Sequence, residues 1–248
     1  MALLRWQTMR FAVFSDVHAN LPALEAAVRA AGSVDGIWHL GDVVGYGPHP
    51  DLVVARLQQL GAVGVKGNHD AAAVGGAEID WFNPDARRAM EWTRASISSA
   101  SSAWLQALPA TMTFGACSLV HGSFRDPMWE YITSLPVARA NLAILETRIG
   151  LHGHTHLPMA WIEEDGSVEL VSPGNGSVLE LRGRRALVNP GSIGQPRDGD
   201  PRASFLILDT DLDTITWHRI DYDIKRVQEA MRAVDLPSNL VARLSAGY

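Results

Sequence analysis

The stretch RFAVFSDVHAN at residues 10–20 decides the fold. Residues 11–15 form an apolar run of strand length, and residues 21–31 follow with the apolar spacing of an amphipathic helix. This order of strand and helix recurs twice, at residues 36–40 with 50–60 and at residues 62–66 with 84–95. We therefore predict β-α-β units and a largely parallel sheet for the first half of the chain.

The second half of the chain has a different pattern. From residue 158, short apolar runs separated by turn residues predict strands at 160–162, 168–171, 177–181, 186–188, 204–208 and 214–219. Residues 118–120 and 149–151 are also strand-like, and residues 137–146 and 222–234 have helical spacing. A serine-rich break at 96–102 separates two helical patterns, and no repeat or long linker is evident. We expect one domain over residues 1–248.

Composition excludes several classes of protein. The 248 residues are 47% hydrophobic and 19% charged, which is typical of a folded globular chain. No run reaches the ~18–20 apolar residues of a membrane span, and residues 1–10 lack the apolar core of a signal peptide. Cys117 is the single cysteine, which excludes an internal disulfide. We expect a cytoplasmic protein with no membrane partner.

The net charge argues against a nucleic-acid-coating role. The formal charge is −6, and Lys66 and Lys225 are the two lysines in the chain. Stable binding to duplex nucleic acid is not expected, because that affinity comes from many cations meeting phosphates. A small anionic substrate is compatible with this composition if another group attracts it.

Polar side chains follow five of the predicted strands. A single Asp or Asn in such a place is more often a helix cap or a turn former, and a single His is more often structural. The five sets occur together, with glycines beside four of them, and the carboxyl ends of parallel strands meet at one edge of a sheet. We therefore predict a shared metal site from Asp16, His18, Asp42, Asn68, His121, His154 and His156.

The chemistry of these side chains narrows the choice of metal ion. Carboxylates mixed with imidazoles, without thiolate, favour Mn, Fe, Ni, Co or Zn over a structural zinc cluster. Seven candidate ligands are too many for one ion that keeps an open position. We expect two divalent transition-metal ions, with Mn first among these metals, bridged by one carboxylate. Such pairs are commonly used to displace a group from phosphate.

These motifs resemble the signature blocks of the calcineurin-like metallophosphoesterases. The five blocks in this chain are DxH at 16–18, GD at 41–42, GNHD at 67–70, His121, and GHxH at 153–156. Two longer blocks, GDVVGYGP at 41–48 and NPGSIGQPR at 189–197, are similar to the small bacterial and archaeal phosphodiesterase branch, as is HGS at 121–123. The resemblance implies an α/β fold, a four-layer α/β/β/α sandwich with two mixed sheets.

The resemblance also implies a role for each matching residue. Asp16, His18 and His156 would hold the first metal, Asn68, His121 and His154 would hold the second, and Asp42 would bridge them. His69 would face the substrate as the catalytic residue that stabilises the phosphate or protonates the leaving group. A metal-bridging hydroxide would be the nucleophile. Asp70 either orients His69 or caps the next segment.

Three further residues are candidate substrate-binding groups. Tyr46 lies in the glycine-rich loop after Asp42, where it either packs the loop or contacts a base or phosphate. Arg125 and Arg197 follow the blocks at 121–123 and 189–192, and a guanidinium suits phosphate recognition. Ion pairing with the neighbouring Asp126 or Asp198 is the alternative for these two arginines.

We expect a metal-dependent hydrolase of phosphoric ester bonds. The leading hypothesis is a phosphodiesterase or nucleotide phosphohydrolase acting on a small phosphate-containing substrate, of which nucleotides are one class. A phosphomonoesterase or protein phosphatase is the alternative within the same chemistry, because the ligands contact phosphate and not its substituents. A non-catalytic scaffold with this fold is less favoured, since no motif residue is missing.

Overall fold

Two six-stranded mixed sheets form the centre of the protein. The computed structural model describes residues 9–77 and 79–248, without the side chain of Trp81. The strands of the first sheet are β1 (Arg10–Phe14), β2 (Gly36–His39), β3 (Val63–Gly64), β9 (Val178–Glu180), β11 (Ala203–Asp209) and β12 (Thr214–Ile220). Those of the second are β4 (Thr111–Phe114), β5 (Cys117–Val120), β6 (Ile149–Leu151), β7 (Pro158–Glu164), β8 (Ser167–Val171) and β10 (Arg185–Pro190). The strand orders are β3-β2-β1-β11-β12-β9 and β4-β5-β6-β10-β7-β8.

The predicted parallel pairing is correct for the strands that the first half of the chain contributes to the first sheet, but it does not extend to the whole sheet. Strands β1, β2 and β3 pair in parallel, as the β-α-β pattern requires. Strand β11 then pairs with β1 in the antiparallel sense, and β12 and β9 continue it antiparallel. The four residues between β11 and β12 allow only a hairpin, which is antiparallel by geometry. The implied arrangement of two mixed sheets is confirmed.

Helices cover the outer faces of both sheets. They are α1 (Leu21–Ala31), α2 (Pro50–Gln59), α3 (Asn68–Ala73), α4 (Pro84–Ser96), α5 (Ser99–Ala107), α6 (Leu135–Ile144), α7 (Ile224–Ala233) and α8 (Ser238–Ala246), with a 3-10 turn at Ile79–Trp81. None of the helices in the described ranges is both long and apolar enough to cross a membrane.

The side-chain alternation of the strands produces the four layers. In β1, Ala12 and Phe14 pack into the core that holds Leu24 of α1, whereas Val13 faces the core between the two sheets. That inner core also holds Leu119 from the second sheet. On the far side, the second sheet packs against α6. The period of two along a strand thus gives one helix-facing and one sheet-facing surface, as the α/β/β/α sandwich requires.

Several elements were not predicted, and their local causes are visible. The serine-rich stretch at 96–102 contains the start of α5, where the Ser98 Oγ accepts a hydrogen bond from the Ser101 backbone N–H. The break between the two predicted helical patterns is therefore shorter than 96–102, because its last serines cap and begin the second helix. Helices α3 and α8 and strand β4 are short elements whose patterns were overlooked. The predicted strand at 62–66 shortens to β3.

His39 at the end of β2 is a buried histidine without hydrogen-bond partners in the described structure. Its ring packs closely on Gly64, where an added Cβ would lie 2.5 Å from the ring. Burial lowers the pKa of His39 from 6.5 to about 4, because the charged form loses its hydration. The unfolded chain therefore binds more protons between these two pH values.

We predict that His39 weakens the fold in mild acid. The contribution of His39 to stability is complete above pH 6.5 and falls by up to about 3 kcal/mol as the pH drops towards 4. His39→Leu should flatten this part of the pH profile, as measured by urea unfolding at pH 7, 6, 5 and 4. An unchanged slope in the variant would contradict the assignment.

Candidate metal centre

The polar segments at the strand ends converge on one buried site. The ligand-type atoms of Asp16, His18, Asp42 and His156 lie within 4.8 Å of one another, and so do those of Asp42, His121 and His154. All of these side chains are at most 5% exposed. Asp42 belongs to both groups, so one carboxylate lies between two clusters of donors.

The backbone is held in an uncommon conformation at most of these positions. Five of the candidate ligands have positive φ angles, namely Asp16 (53°), His18 (47°), Asp42 (51°), His154 (65°) and His156 (61°). Residues with side chains enter this left-handed region rarely, and each costs of order 1–3 kcal/mol. Such strain persists only where the surrounding structure fixes the chain, so these loops are rigidly constrained.

Hydrogen bonds between the loops supply that constraint. The His18 backbone N–H donates to the Asp42 carbonyl at 2.9 Å, and the Gly194 N–H donates to the Asp16 carbonyl at 2.9 Å. The His154 N–H donates to the Asp16 carboxylate at 3.2 Å. A Cβ at Gly194 would lie 1.9 Å from the Val17 carbonyl oxygen, so only glycine allows this approach. The loops after β1, β2 and β6 therefore form one unit with the loop after β10.

Backbone carbonyls fix the tautomer of three histidines. The Nδ1–H groups of His18, His121 and His156 donate to the carbonyls of Val44 (3.2 Å), Leu40 (2.8 Å) and Gln195 (2.5 Å). A carbonyl oxygen can only accept, so each neutral ring carries its proton on Nδ1. The unprotonated Nε2 atoms point towards the two clusters. This arrangement is typical of metal-binding histidines.

The facing nitrogens fit a cation better than a hydrogen bond. The Nε2 atoms of His18 and His156 are 3.2 Å apart, and Nε2 of His121 is 3.1 Å from Nδ1 of His154. Burial lowers the pKa of all four rings, so no proton is available to bridge the first pair. The buried Oδ1 atom of Asp16 also has no hydrogen-bond partner in the described structure. The donor set is therefore suited to divalent transition metals.

Burial also perturbs the shared carboxylate. Desolvation raises the pKa of Asp42 well above its ordinary value, and the nearby carboxylates of Asp16 and Asp70 raise it further. Three buried carboxyl groups this close destabilise one another unless positive charge is supplied. A cation between them would reverse this effect.

Asn68 and His69, at the start of α3, point towards the same centre. The Asn68 Oδ1 lies 3.0 Å from Nε2 of His121, so the amide joins the second cluster. The His69 ring lies between Tyr46 and Phe82, with centroid distances of 4.4 and 4.7 Å, and its Nδ1 has no hydrogen-bond partner in the described ranges. Packing rather than a hydrogen bond therefore orients His69.

Asp70 acts as a helix cap and a loop brace. Its carboxylate accepts hydrogen bonds from the Gly67 N–H at 3.0 Å and from the Val44 N–H at 3.1 Å. These two contacts tie the start of α3 to the loop after β2. Of the two roles considered for Asp70, the contacts support capping, and they leave the His69 ring to its aromatic neighbours.

A cleft of about 350 Å³ opens above the centre. It is lined by Asp42, Tyr46, Asn68, His69, Phe82, Asn83, Ala86, Trp129, Tyr131, His154, His156 and Arg197. The described lining includes the predicted substrate-binding residues Tyr46 and Arg197 but not Arg125. A larger apolar cavity of about 660 Å³, lined by rings such as Phe11 and Trp38, contains none of the predicted site residues. The smaller, polar cleft is therefore the candidate site.

The three substrate-binding candidates have different surroundings. Tyr46 is 7% exposed and packs against His69 and His18, so its ring mainly supports the loop. Arg125 is half-exposed and pairs with Glu130 at 3.3 Å, whereas Asp126 accepts from the backbone of the 128–129 turn. Arg197 lines the cleft, and its expected partner Asp198 pairs with Arg219 instead.

Sequence reasoning overlooked part of the cleft and one supporting residue. Phe82, Trp129 and Tyr131 line the cleft. The sequence left two interpretations open for Phe82 and Trp129, the core or the substrate cleft, and core is the more frequent place for aromatic residues near motifs. Tyr131 was not considered. Asn189 donates to the Gly153 carbonyl at 2.7 Å and to Thr155 Oγ1 at 3.1 Å, which holds the loop that carries His154 and His156. The sequence feature that could have identified Asn189 is its position at the start of the block at 189–197.

Comparison with known proteins agrees with this site. Residues 9–213 match the model of the calcineurin-like phosphoesterase superfamily domain. The chain belongs to this superfamily. A crystal structure of a metallophosphoesterase from Sphaerobacter thermophilus superposes with a TM-score of 0.90 at 44% identity, covering 98% of this chain and all of that one. The calcineurin-like phosphoesterases hydrolyse phosphoric ester bonds, and the predicted enzyme class is confirmed.

Two sequence relatives extend the comparison. An uncharacterized protein of Methanocaldococcus jannaschii is 33% identical over 243 residues, which is 95% of this chain and 97% of the relative. The phosphodiesterase YfcE of Escherichia coli K12 is 26% identical over 216 residues, or 82% of this chain and 89% of that protein. The predicted relationship to bacterial and archaeal calcineurin-like phosphoesterases is confirmed.

We predict that metal binding stabilises the protein through Asp42. At a metal concentration about a hundredfold above Kd, Mn²⁺ should raise Tm by roughly 5–10 °C. Asp42→Asn should lose most of this rise, because the shared carboxylate disappears. Without metal the variant should be at least as stable as wild type, since a buried carboxyl of raised pKa is removed.

Thermal unfolding with and without Mn²⁺ measures both effects. Asp235→Asn is the matched control, because this carboxylate is exposed and pairs with Arg88 away from the cleft. The control should keep the full rise in Tm. Retention of that rise in Asp42→Asn would contradict the assignment of Asp42.

Proposed function

We propose that this chain is a phosphodiesterase with a dinuclear metal centre. The observation that carries the proposal is the position of Asp42 in both buried ligand clusters. One shared carboxylate between two donor sets is suited to two neighbouring ions rather than one. The name of the Escherichia coli relative, phosphodiesterase YfcE, supports a diester as the substrate.

Each cluster would hold one divalent ion. Asp16, His18 and His156 would bind the first ion, and Asn68, His121 and His154 would bind the second. Asp42 would bridge the two. Mn²⁺ is the metal we propose first, with Fe, Ni, Co or Zn as alternatives, because oxygen and imidazole donors suit this group. When bound, the two ions supply positive charge to the phosphate oxygens and lower the pKa of water.

The protein side chains then supply binding and proton transfer. His69 lines the cleft beside the ligands, and Tyr46 and Phe82 restrict its ring. We assign it to donate a proton or hydrogen bond to the departing oxygen, a step that the ligand residues, occupied by metal, would not perform. Gly45 leaves room for the ring, because a Cβ there would lie 2.4 Å from Nδ1 of His69.

The activity is tested with a generic diester and a metal panel. Metal-free protein is expected to hydrolyse bis(p-nitrophenyl) phosphate after addition of Mn²⁺, and faster than it hydrolyses p-nitrophenyl phosphate. Failure with Mn, Fe, Ni, Co and Zn alike would refute the proposal. A higher kcat/KM for the monoester would be consistent with a phosphoesterase but would reject the proposed preference for diesters.

His69→Ala is expected to lower kcat by about a hundredfold or more, which is the lower end of the range for removal of a general acid. Metal content should remain at two ions per chain by elemental analysis, because His69 contributes no ligand atom to either cluster. His218→Gln is the matched control, since His218 stacks on Phe205 away from the cleft. An unchanged kcat in His69→Ala would remove His69 from the mechanism.

A further inference from the structure

Partly exposed aromatic rings form one wall of the cleft. Phe82 contacts His69 on one side and Trp129 on the other, with a centroid distance of 6.1 Å between Phe82 and Trp129. Tyr131 stacks on the His154 ring at 4.0 Å and 7°, and 45% of its surface is exposed. Planar apolar surface beside a polar cleft is unfavourable in water and favours a planar ligand.

A guanidinium group lies in the same cleft. Arg197 donates to Gln195 Oε1 at 3.0 Å, which restricts its position. Within the described ranges, no carboxylate forms an ion pair with Arg197, and its buried Nε has no hydrogen-bond partner. An arginine that is positioned but not neutralised is suited to a phosphate oxygen.

Arg197 lies beside the metal ligands. It lines the cleft together with Asp42, His154 and His156. A phosphate bound at the centre would therefore be within the field of Arg197, and the group attached to that phosphate would meet the aromatic wall. The cleft thus offers one anionic subsite and one planar apolar subsite.

We propose that the cleft binds nucleotides, with Arg197 on a phosphate oxygen and the nucleobase on the wall formed by Phe82 and Trp129. This inference rests on the proposed function, because it names the substrate class of the same site. A protein loop with phosphoserine or phosphothreonine, or a lipid headgroup, would use the anionic subsite but would bring no planar ring to Phe82. A nucleotide uses both subsites at once.

Calorimetric titration of the Mn²⁺-loaded protein separates the two subsites. The ligands are adenosine 5′-monophosphate and ribose 5-phosphate, which differ by the base alone, and a phosphate-release assay verifies that both stay intact. Wild type should bind the nucleotide about tenfold more tightly, since stacking on an aromatic side chain contributes that much or more. Equal affinities would overturn the inference.

Two substitutions assign the subsites. Phe82→Leu keeps an apolar side chain but removes one planar ring of the wall, so the preference for the nucleotide should fall. Because both ligands carry the same phosphate, any effect of the substitution on phosphate binding through His69 changes both affinities equally. The ratio of the two affinities within one variant is therefore free of this effect. Arg197→Gln should weaken both ligands roughly tenfold or more while leaving their ratio unchanged, because a charged hydrogen bond to phosphate is lost.

The control is Arg88→Gln, an exposed arginine outside the described lining of the cleft, which should bind both ligands as wild type does. A retained nucleotide preference in Phe82→Leu, or wild-type affinities in Arg197→Gln, would overturn the inference. Diester hydrolysis by the same preparation is measured in parallel. Activity with equal affinities rejects only the nucleotide assignment, whereas inactivity with every metal rejects the proposed function and leaves the titration as an independent test of binding.

Discussion

The convergence of imidazole nitrogens and carboxylates in a buried site is the constraint on which this structure depends. Nε2 atoms that face each other at 3.2 Å, as in His18 and His156, gain nothing from one another without a cation. The carboxylate of Asp42 is likewise buried beside Asp16 and Asp70, which raises its pKa. Without a cation, such an arrangement destabilises the folded protein, so the remaining structure must hold it in place.

The four layers provide that support. Each cluster combines residues from loops of both sheets, and backbone hydrogen bonds join the loops after β1, β2, β6 and β10. The left-handed conformations at Asp16 and His154 persist because neighbouring segments fix them. Glycines such as Gly194 allow the close approach of these segments. The large cores on either side of the first sheet provide the stability that tolerates this strained, polar edge.

Much of the site could be predicted from the sequence, because strand ends and their motif residues are local features. The parallel strands β1 to β3 and the convergence of Asp16, Asp42 and His121 followed from pattern and topology. The antiparallel pairing of β11 with β1 could not be predicted from the strand pattern, since pairing between distant strands depends on long-range packing. The contact of Asp70 with Val44 and the exposure of Phe82 depend on the packing of distant loops, which no local pattern encodes.

The central claim is that the two buried clusters form one dinuclear centre bridged by Asp42. Anomalous scattering from crystals grown with Mn²⁺, recorded near the manganese edge, tests it most directly. The account predicts two peaks about 3.5–4 Å apart, one beside His18 and His156 and one beside His121 and His154, with the Asp42 carboxylate contacting both. A single peak at saturating Mn²⁺, or two peaks of which only one contacts Asp42, would contradict it.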